Sequence, residues 1–223
     1  MKLSTKNSLI GRIADKVGLN KNFHRYQKIT TDPNDNALIS PVEGRVVHIG
    51  NIDNEGILIS KRDKKIRLEE LIGNNYNQFA GYRYINFHLS PLNLHFWVTP
   101  YDGMFTYTQL NEGKAILPIY LGLEYLSGIA MYHKAVKRNA TIASVFQTKN
   151  FPIAMIAVGS LNVNRVHTDY EEMQNYKKGT PCGYFSIGSS MLLCFPNHLK
   201  VLIDEGSDVK IGQRIAVPGE MPR

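Results

Sequence analysis

Apolar positions along most of this chain recur in short runs of four to eight residues, bounded by Gly, Asn, Asp or Pro. That pattern reads as strands rather than helices. Ala37–Ser40, Arg45–Ile49 and Gly56–Ser60 are β-rich and bounded by Gly, Asn and Asp. Tyr82–Leu89 alternates at its start and runs into Ser90-Pro91. Met104–Gln109, Ala140–Phe146, Ile153–Val158 and Leu161–Val166 are further strands by the same criterion. Tyr184–Ile187 and Met191–Phe195 are two apolar runs interrupted by Gly188-Ser189-Ser190, and the tail carries Lys200–Ile203 and Val209–Val217 around a Gly-Gln turn. Arg67–Ile72 reads as a short helix. The exception is the N-terminus, where Ile10, Ile13, Val17 and Leu19 recur at near-helical spacing with Arg12 and Lys16 between them. That pattern predicts an amphipathic helix over Ser8–Leu19. Lys21–Ala37 is polar and reads as a connecting loop. The expectation is a mainly β (α+β) fold: a helix and linker over residues 1–36, then one compact β-rich domain over 37–223. No fixed-period repeat is visible.

Composition narrows the class without naming a function. The chain has 223 residues, 43% hydrophobic and 20% charged, which is ordinary for a globular protein. No apolar run approaches the roughly 18–20 residues of a membrane-spanning helix, and Met1–Asn20 lacks the apolar core of a signal peptide. The expected location is the cytoplasm, with peripheral membrane contact. The net charge of +7 suits phosphates, whether of nucleic acid or of an anionic membrane. Basic clusters at Lys61–Lys65 and Lys134–Arg138 come with no recognition-helix or RNP-type motif, so nucleic acid is not expected as a partner. The N-terminal helix suits an anionic membrane surface as well as it suits packing on the body. Cys182 and Cys194 form no CxxC and read as small buried hydrophobes in a reducing compartment. The seven histidines show no zinc-ligand spacing, so no metal is expected.

Three segments carry groups capable of chemistry. In Gly183-Tyr-Phe-Ser-Ile-Gly-Ser-Ser-Met-Leu-Leu-Cys-Phe-Pro196, a Gly-Ser bond lies between two apolar runs. Alone, such a Gly-Ser-Ser is a common turn. Held tightly, it can undergo an N-to-O acyl shift, in which the Ser hydroxyl attacks the preceding carbonyl and Gly tolerates the strained backbone. Phe87–Gly103 brings His88 and His95 near a Ser-Pro break. Either is a candidate acid or base near neutral pH, or a hydrogen-bonded core histidine. Ile39–Gly50 places Glu43 before a glycine, where a lone carboxylate is usually solvated.

In order, these segments resemble the phosphatidylserine decarboxylase family. Ser40-Pro-Val-Glu-Gly44 resembles its SPxDG motif, and Leu89-Ser-Pro-Leu-Asn-Leu-His95 with Pro100-Tyr-Asp-Gly103 resembles LSPxDxH…PxxG. Arg138-Asn139 and Ala157-Val-Gly-Ser160 resemble its RNER and VGA segments. Lys178-Gly179 with Gly183–Pro196 resembles KGxExGxFxxGST and the following strand, and Val209–Ala216 resembles the closing VxxGQxLA. Leu9–Ala14 is similar to the family's N-terminal amphipathic stretch. The match runs from about Ala37 to Val217.

The resemblance implies a proenzyme that cuts itself between Gly188 and Ser189 and turns Ser189 into a covalent pyruvoyl group, its cofactor. It implies conversion of phosphatidylserine to phosphatidylethanolamine, with His95 handling proton transfer during decarboxylation. An anionic membrane surface is the implied partner, and a homodimer is compatible with the family. Three positions depart from its pattern. The Asp of SPxDG is Glu43, one methylene longer. Val98 stands where many members carry a second histidine, the base for the serine, although some short members lack it too. The usual GST is Gly188-Ser189-Ser190. Glu43 is then the candidate base for self-cleavage, with His167 as the alternative. Two other readings stay open: a decarboxylase of a different amino compound, and an uncleaved, silent homologue that binds lipid or a partner.

Overall fold

The computed structural model describes residues 3–4, 16, 26–60, 64–113, 117, 119, 132–160, 166–185 and 189–219. The first strands in chain order are β1 (Leu3–Ser4), β2 (Leu38–Ile39), β3 (Gly44–Asn51), β4 (Ile57–Ser60), β5 (Lys64–Arg67) and β6 (Arg83–Leu89). Then come β7 (Phe96–Val98), β8 (Gly103–Asn111), β9 (Thr141–Gln147), β10 (Pro152–Gly159), β11 (Val166–Thr168) and β12 (Asn175–Tyr176). The last are β13 (Pro181–Phe185), β14 (Ser189–Phe195), β15 (Leu199–Val201), β16 (Asp208–Val209) and β17 (Arg214–Pro218). The described helices are short: α1 (Glu69–Ile72), a 3₁₀ stretch over Gly73–Phe79, and α2 (Tyr132–Arg138). The protein is mainly β.

An eight-stranded antiparallel sheet in the order β12-β8-β9-β10-β14-β6-β3-β16 is the frame. Both its faces are covered, which explains why β14 is buried at every position and why its apolar run does not alternate with polar residues. Successive side chains still point to opposite faces. Met191, Leu193 and Phe195 join a cluster with Phe87, Leu89, Trp97, Val166 and Phe185, so this face packs on a four-stranded sheet, β1-β11-β13-β7. Leu38, Ile215 and Ala216 of a three-stranded sheet, β15-β17-β2, join the same cluster. Leu192 and Cys194 point the other way, into a cluster with Leu71, Ile72, Phe79, Tyr132, Ala135 and Val136 from the helical segments. Each fully buried Leu, Ile or Phe side chain contributes roughly 1.5–3 kcal/mol.

Two of the expected elements fall largely outside the described residues, and one strand was not expected. Of the helix expected over Ser8–Leu19, Lys16 alone belongs to the described residues, and it is helical and exposed. Leu3 and Ser4 pair with Thr168 and His167, so the extreme N-terminus adds a strand to the body. Residues 161–165 of the strand expected at Leu161–Val166 lie outside the described residues, and β11 begins at Val166. Cys182 and Cys194 are buried free thiols, as expected.

Candidate active site

Four strand ends meet at one end of the large sheet. β10 ends at Gly159, β14 begins at Ser189, β6 ends at Leu89 and β3 begins at Gly44. Ser189 pairs with Gly159 on one side and with Leu89 on the other. Gly44 lies against β6, where a Cβ would meet the His88 carbonyl oxygen at 2.5 Å and the Leu89 side chain at 3.6 Å, so only glycine fits there. Because neighbouring strands run in opposite directions, segments far apart in sequence are delivered to this one edge: Ser160, Ser189, Ser90–His95 and Glu43.

Ser189 is fully buried, and its Oγ has no hydrogen-bond partner among the described residues. Its neighbour Ser190 is the reverse. Ser190 Oγ donates to Asn86 Oδ1 at 2.6 Å, with the Phe87 carbonyl at 2.9 Å and the Tyr132 hydroxyl at 3.4 Å. Strand alternation sends Ser190 toward the helices and Ser189 toward the four-stranded sheet. Gly188 lies outside the described residues, as do Ser186 and Ile187. β13 and β14, the strands on either side of them, belong to different sheets.

The turn after β6 is built around Asn93. Its Oδ1 accepts from the Ser90 backbone N–H at 2.8 Å and from Ser90 Oγ at 2.9 Å. Its amide nitrogen therefore faces the other way and donates to Glu43 Oε1 at 3.3 Å. Its main-chain carbonyl lies 2.6 Å from His95 Nδ1. A carbonyl can only accept, so Nδ1 carries the hydrogen and, in the neutral ring, Nε2 carries the lone pair. His95 is fully buried. The backbone N–H of Phe185 donates to the His95 carbonyl at 2.7 Å, tying His95 to the strand that leads toward Ser189. Leu94, Phe96 and Val98 pack on the outer side of β7 with Ile39 and Ile211, whereas Trp97 points inward to the main core. Burial, and then the nearby charge of His95, lower the pKa of His88 to about 4, so His88 is neutral at neutral pH.

Glu43 is partly buried, with Lys210 Nζ 3.3 Å from the same Oε1 that accepts from Asn93. The Ser40–Gly44 segment is anchored on both sides. Val98 N–H donates to the Pro41 carbonyl, and Gly212 N–H to the Ser40 carbonyl, each at 3.0 Å. The Gly-Gln motif near the C-terminus therefore braces the Ser-Pro-Val-Glu-Gly motif. Asn139 is a further brace. It is buried, and its side chain donates to the Leu117 carbonyl at 2.7 Å and to the Gly159 carbonyl at 2.8 Å, next to Ser189. His167 sits on the outer side of β11, 3.0 Å from Asp169 Oδ1 and with its ring tilted against Tyr184. Val166, its neighbour, points inward, so His167 is turned away from the core face on which Ser189 lies. Among the described residues no group of three His, Cys, Asp or Glu side chains is arranged to hold a metal. A cavity of about 210 Å³ lined by Asp102, Asn175, Tyr176 and Lys177 lies at the β12 edge, away from Ser189.

The sequence reading missed Asn93 and the neutral His88. The spacing Ser90-Pro-Leu-Asn93, a turn closed by a side-chain amide, was the available signal for the first. Nothing local announces the contact of Asn93 with Glu43, fifty positions away.

A family model described as Phosphatidylserine decarboxylase matches residues 21–217. The chain belongs to the phosphatidylserine decarboxylase family. A phosphatidylserine decarboxylase proenzyme of Legionella pneumophila (strain Lens) is 27% identical over 221 positions, covering 87% of this chain and 76% of that protein. One of Anoxybacillus flavithermus is 26% identical, covering 90% and 80% respectively, and one of Pseudoalteromonas atlantica is 26% identical, covering 91% and 79%. The family's covalent group is made from the chain itself, and the residues present fit it. Ser189 offers a buried hydroxyl that no described residue holds, so converting it breaks no described bond. Among the described residues no helix is long and apolar enough to cross a membrane.

Proposed function

We propose that this protein is a pyruvoyl-dependent decarboxylase that converts phosphatidylserine to phosphatidylethanolamine after cutting itself between Gly188 and Ser189. The observation that carries the reading is Ser189 Oγ, buried and without a hydrogen-bond partner among the described residues at the cleavage position of the family motif. Leaving a buried hydroxyl unsatisfied costs roughly 1–3 kcal/mol, a cost that a purely structural serine has no reason to carry. In this reading Ser189 Oγ attacks the Gly188 carbonyl, the C–N bond breaks and an ester forms. Loss of the Ser189 Cα proton expels the Gly188 carboxylate and leaves dehydroalanine. Addition of water and release of ammonia then leave a pyruvoyl group at the new N-terminus. When present, that group supplies a carbonyl that accepts the electrons left by departing carbon dioxide. His95 returns a proton to the carbon that lost the carboxylate, and Glu43 belongs to the self-cleavage step. The basic chain suits an anionic membrane as the place where the substrate is met, and a homodimer is compatible with this reading.

A second reading, an uncleaved homologue that binds lipid or a partner, draws on Val98. That position is packed among Ile39, Phe96 and Ile211 and offers no base. One assay separates the readings and also addresses the substrate. Purified protein is supplied with vesicles containing phosphatidylserine or, separately, with free serine, and carbon dioxide release is followed. The proposal expects release from the vesicles alone. Release only from free serine would indicate a different amino substrate, and none from either, with an intact chain, would favour the silent homologue.

A further inference from the structure

We propose that the Pro91–Leu92 tip is the contact through which this protein settles on an anionic phospholipid bilayer, with Lys210 beside it meeting the headgroups. The inference rests on the lipid-substrate reading above and adds the surface that would bring Ser189 to the lipid. Leu92 is 95% exposed, against 66% for Met173, the next most exposed large apolar side chain among the described residues. Pro91 before it is exposed as well. A single surface leucine is ordinary. What sets this one apart is how the turn holds it and where the turn lies.

Four hydrogen bonds close the turn. The Asn93 N–H donates to the Ser90 carbonyl at 3.0 Å, and the Leu92 N–H to Ser90 Oγ at 3.3 Å. Ser90 N–H and Oγ both donate to Asn93 Oδ1, at 2.8 and 2.9 Å. The backbone on both sides of Leu92 is thereby fixed with the side chain held outward, and no ordering of the tip is left to offset the gain from burying it in lipid. The turn starts one residue after Leu89, the strand partner of Ser189, so the tip stands at the end of the large sheet where the site lies.

The charge beside the tip suits anionic headgroups. Lys210 Nζ and Asn93 Nδ2 meet the same Glu43 oxygen, each at 3.3 Å, which places the ammonium next to the turn. The pair shows its cation outward, because the Lys210 side chain is 76% exposed and that of Glu43 15%. An apolar tip with a neighbouring cation is the combination that lies in a bilayer interface, and the net charge of +7 adds attraction from a distance. Met173 offers a built-in comparison. Its N–H donates to the Phe105 carbonyl, beside the Met104–Gln147 pair, so it lies at the other end of the sheet, where β10 begins.

The test uses full-length protein with vesicles of phosphatidylcholine, with or without phosphatidylglycerol. Neither lipid has the carboxylate to be released, so binding is read independently of activity. Cosedimentation should show binding to the anionic vesicles that weakens with added salt. Leu92→Ser should lower the partition coefficient about tenfold and Lys210→Gln about fivefold, both with unchanged thermal melts. An environment-sensitive fluorophore on Leu92→Cys should shift to the blue on binding, and one on Met173→Cys should not. The native Cys182 and Cys194 are fully buried, so the label goes to the introduced thiol. Wild-type binding retained in Leu92→Ser, or a fluorophore at 92 that does not respond, overturns the proposal. So does a lipid-free dimer that Leu92→Ser converts to monomer, because the tip is then covered by a second copy. Failure to release carbon dioxide from phosphatidylserine is a different failure: it removes the lipid-decarboxylase reading and leaves the binding result standing.

Discussion

Ser189 and Ser190 are adjacent, both buried and both hydroxyls, yet they face opposite sides of the large sheet and meet opposite fates. On the helical side Ser190 is satisfied by Asn86, Phe87 and Tyr132. On the side of the four-stranded sheet Ser189 has no partner among the described residues. The difference separates a side chain that holds the fold together from one that is held by it. Buried polar groups are nearly always bonded, so an exception beside a neighbour that obeys the rule points to chemistry.

The largest expected effect separates the two serines outright. Ser189→Ala should abolish self-cleavage and leave the melting temperature unchanged or slightly raised, since no described bond is lost. Time-resolved mass and a thermal melt on the same sample check both halves, and a clear drop in melting temperature would mean that Ser189 is structural after all.

The helical face should show itself next, through pH. His88 pairs with Ser190 in register, and its pKa is lowered from 6.5 to about 4, by burial first and by His95 second. The unfolded chain therefore binds more protons than the folded one between those values. Stability is full above about pH 6.5 and is lost as pH falls toward 4. The loss attributable to this group is at most about 3 kcal/mol. Denaturant midpoints measured across that window should fall in wild type and fall less in His88→Asn. Equal slopes would remove His88 as the cause.

Ser190→Ala should cost about 1–2 kcal/mol in a denaturant melt, because Asn86 loses a buried partner. Cleavage should persist within about tenfold. A complete loss of cleavage with unchanged stability would reverse the assignment of the two serines. The smallest effect belongs to the helix that covers this face. Lys137 and Glu70 form an ion pair at 2.9 Å with both side chains substantially exposed, and Lys137→Ala should change stability by less than about 1 kcal/mol.

The same contrast explains what was legible in the sequence. Long apolar runs such as Ile153–Val158 and Met191–Phe195 were readable because both faces of the large sheet are covered. β7, β12 and β1 were not. They are only two or three residues long, too short to show an alternating pattern, and pairing with distant strands is what marks them as strands. The basic cluster at Lys134–Arg138 belongs to a helix, α2, whose apolar side is just Tyr132, Ala135 and Val136. In the site, Ser189, His95 and Glu43 were approached through motifs in order along the chain. Asn93 was not, because its meaning lies in a contact with residue 43 that exists only once β3 and β6 are side by side. Asn139 was quoted as part of a motif, but its bond to Gly159 appears only in the fold.

The central claim is that Ser189 is the bond-breaking residue of a proenzyme, and the intact mass of freshly purified wild-type protein tests it most directly. The account predicts two pieces, Met1–Gly188 and a short C-terminal fragment ending at Arg223, the short one gaining the mass of a hydrazine adduct through its new carbonyl. A single species of 25.2 kDa that persists through long incubation and traps no hydrazine would contradict it.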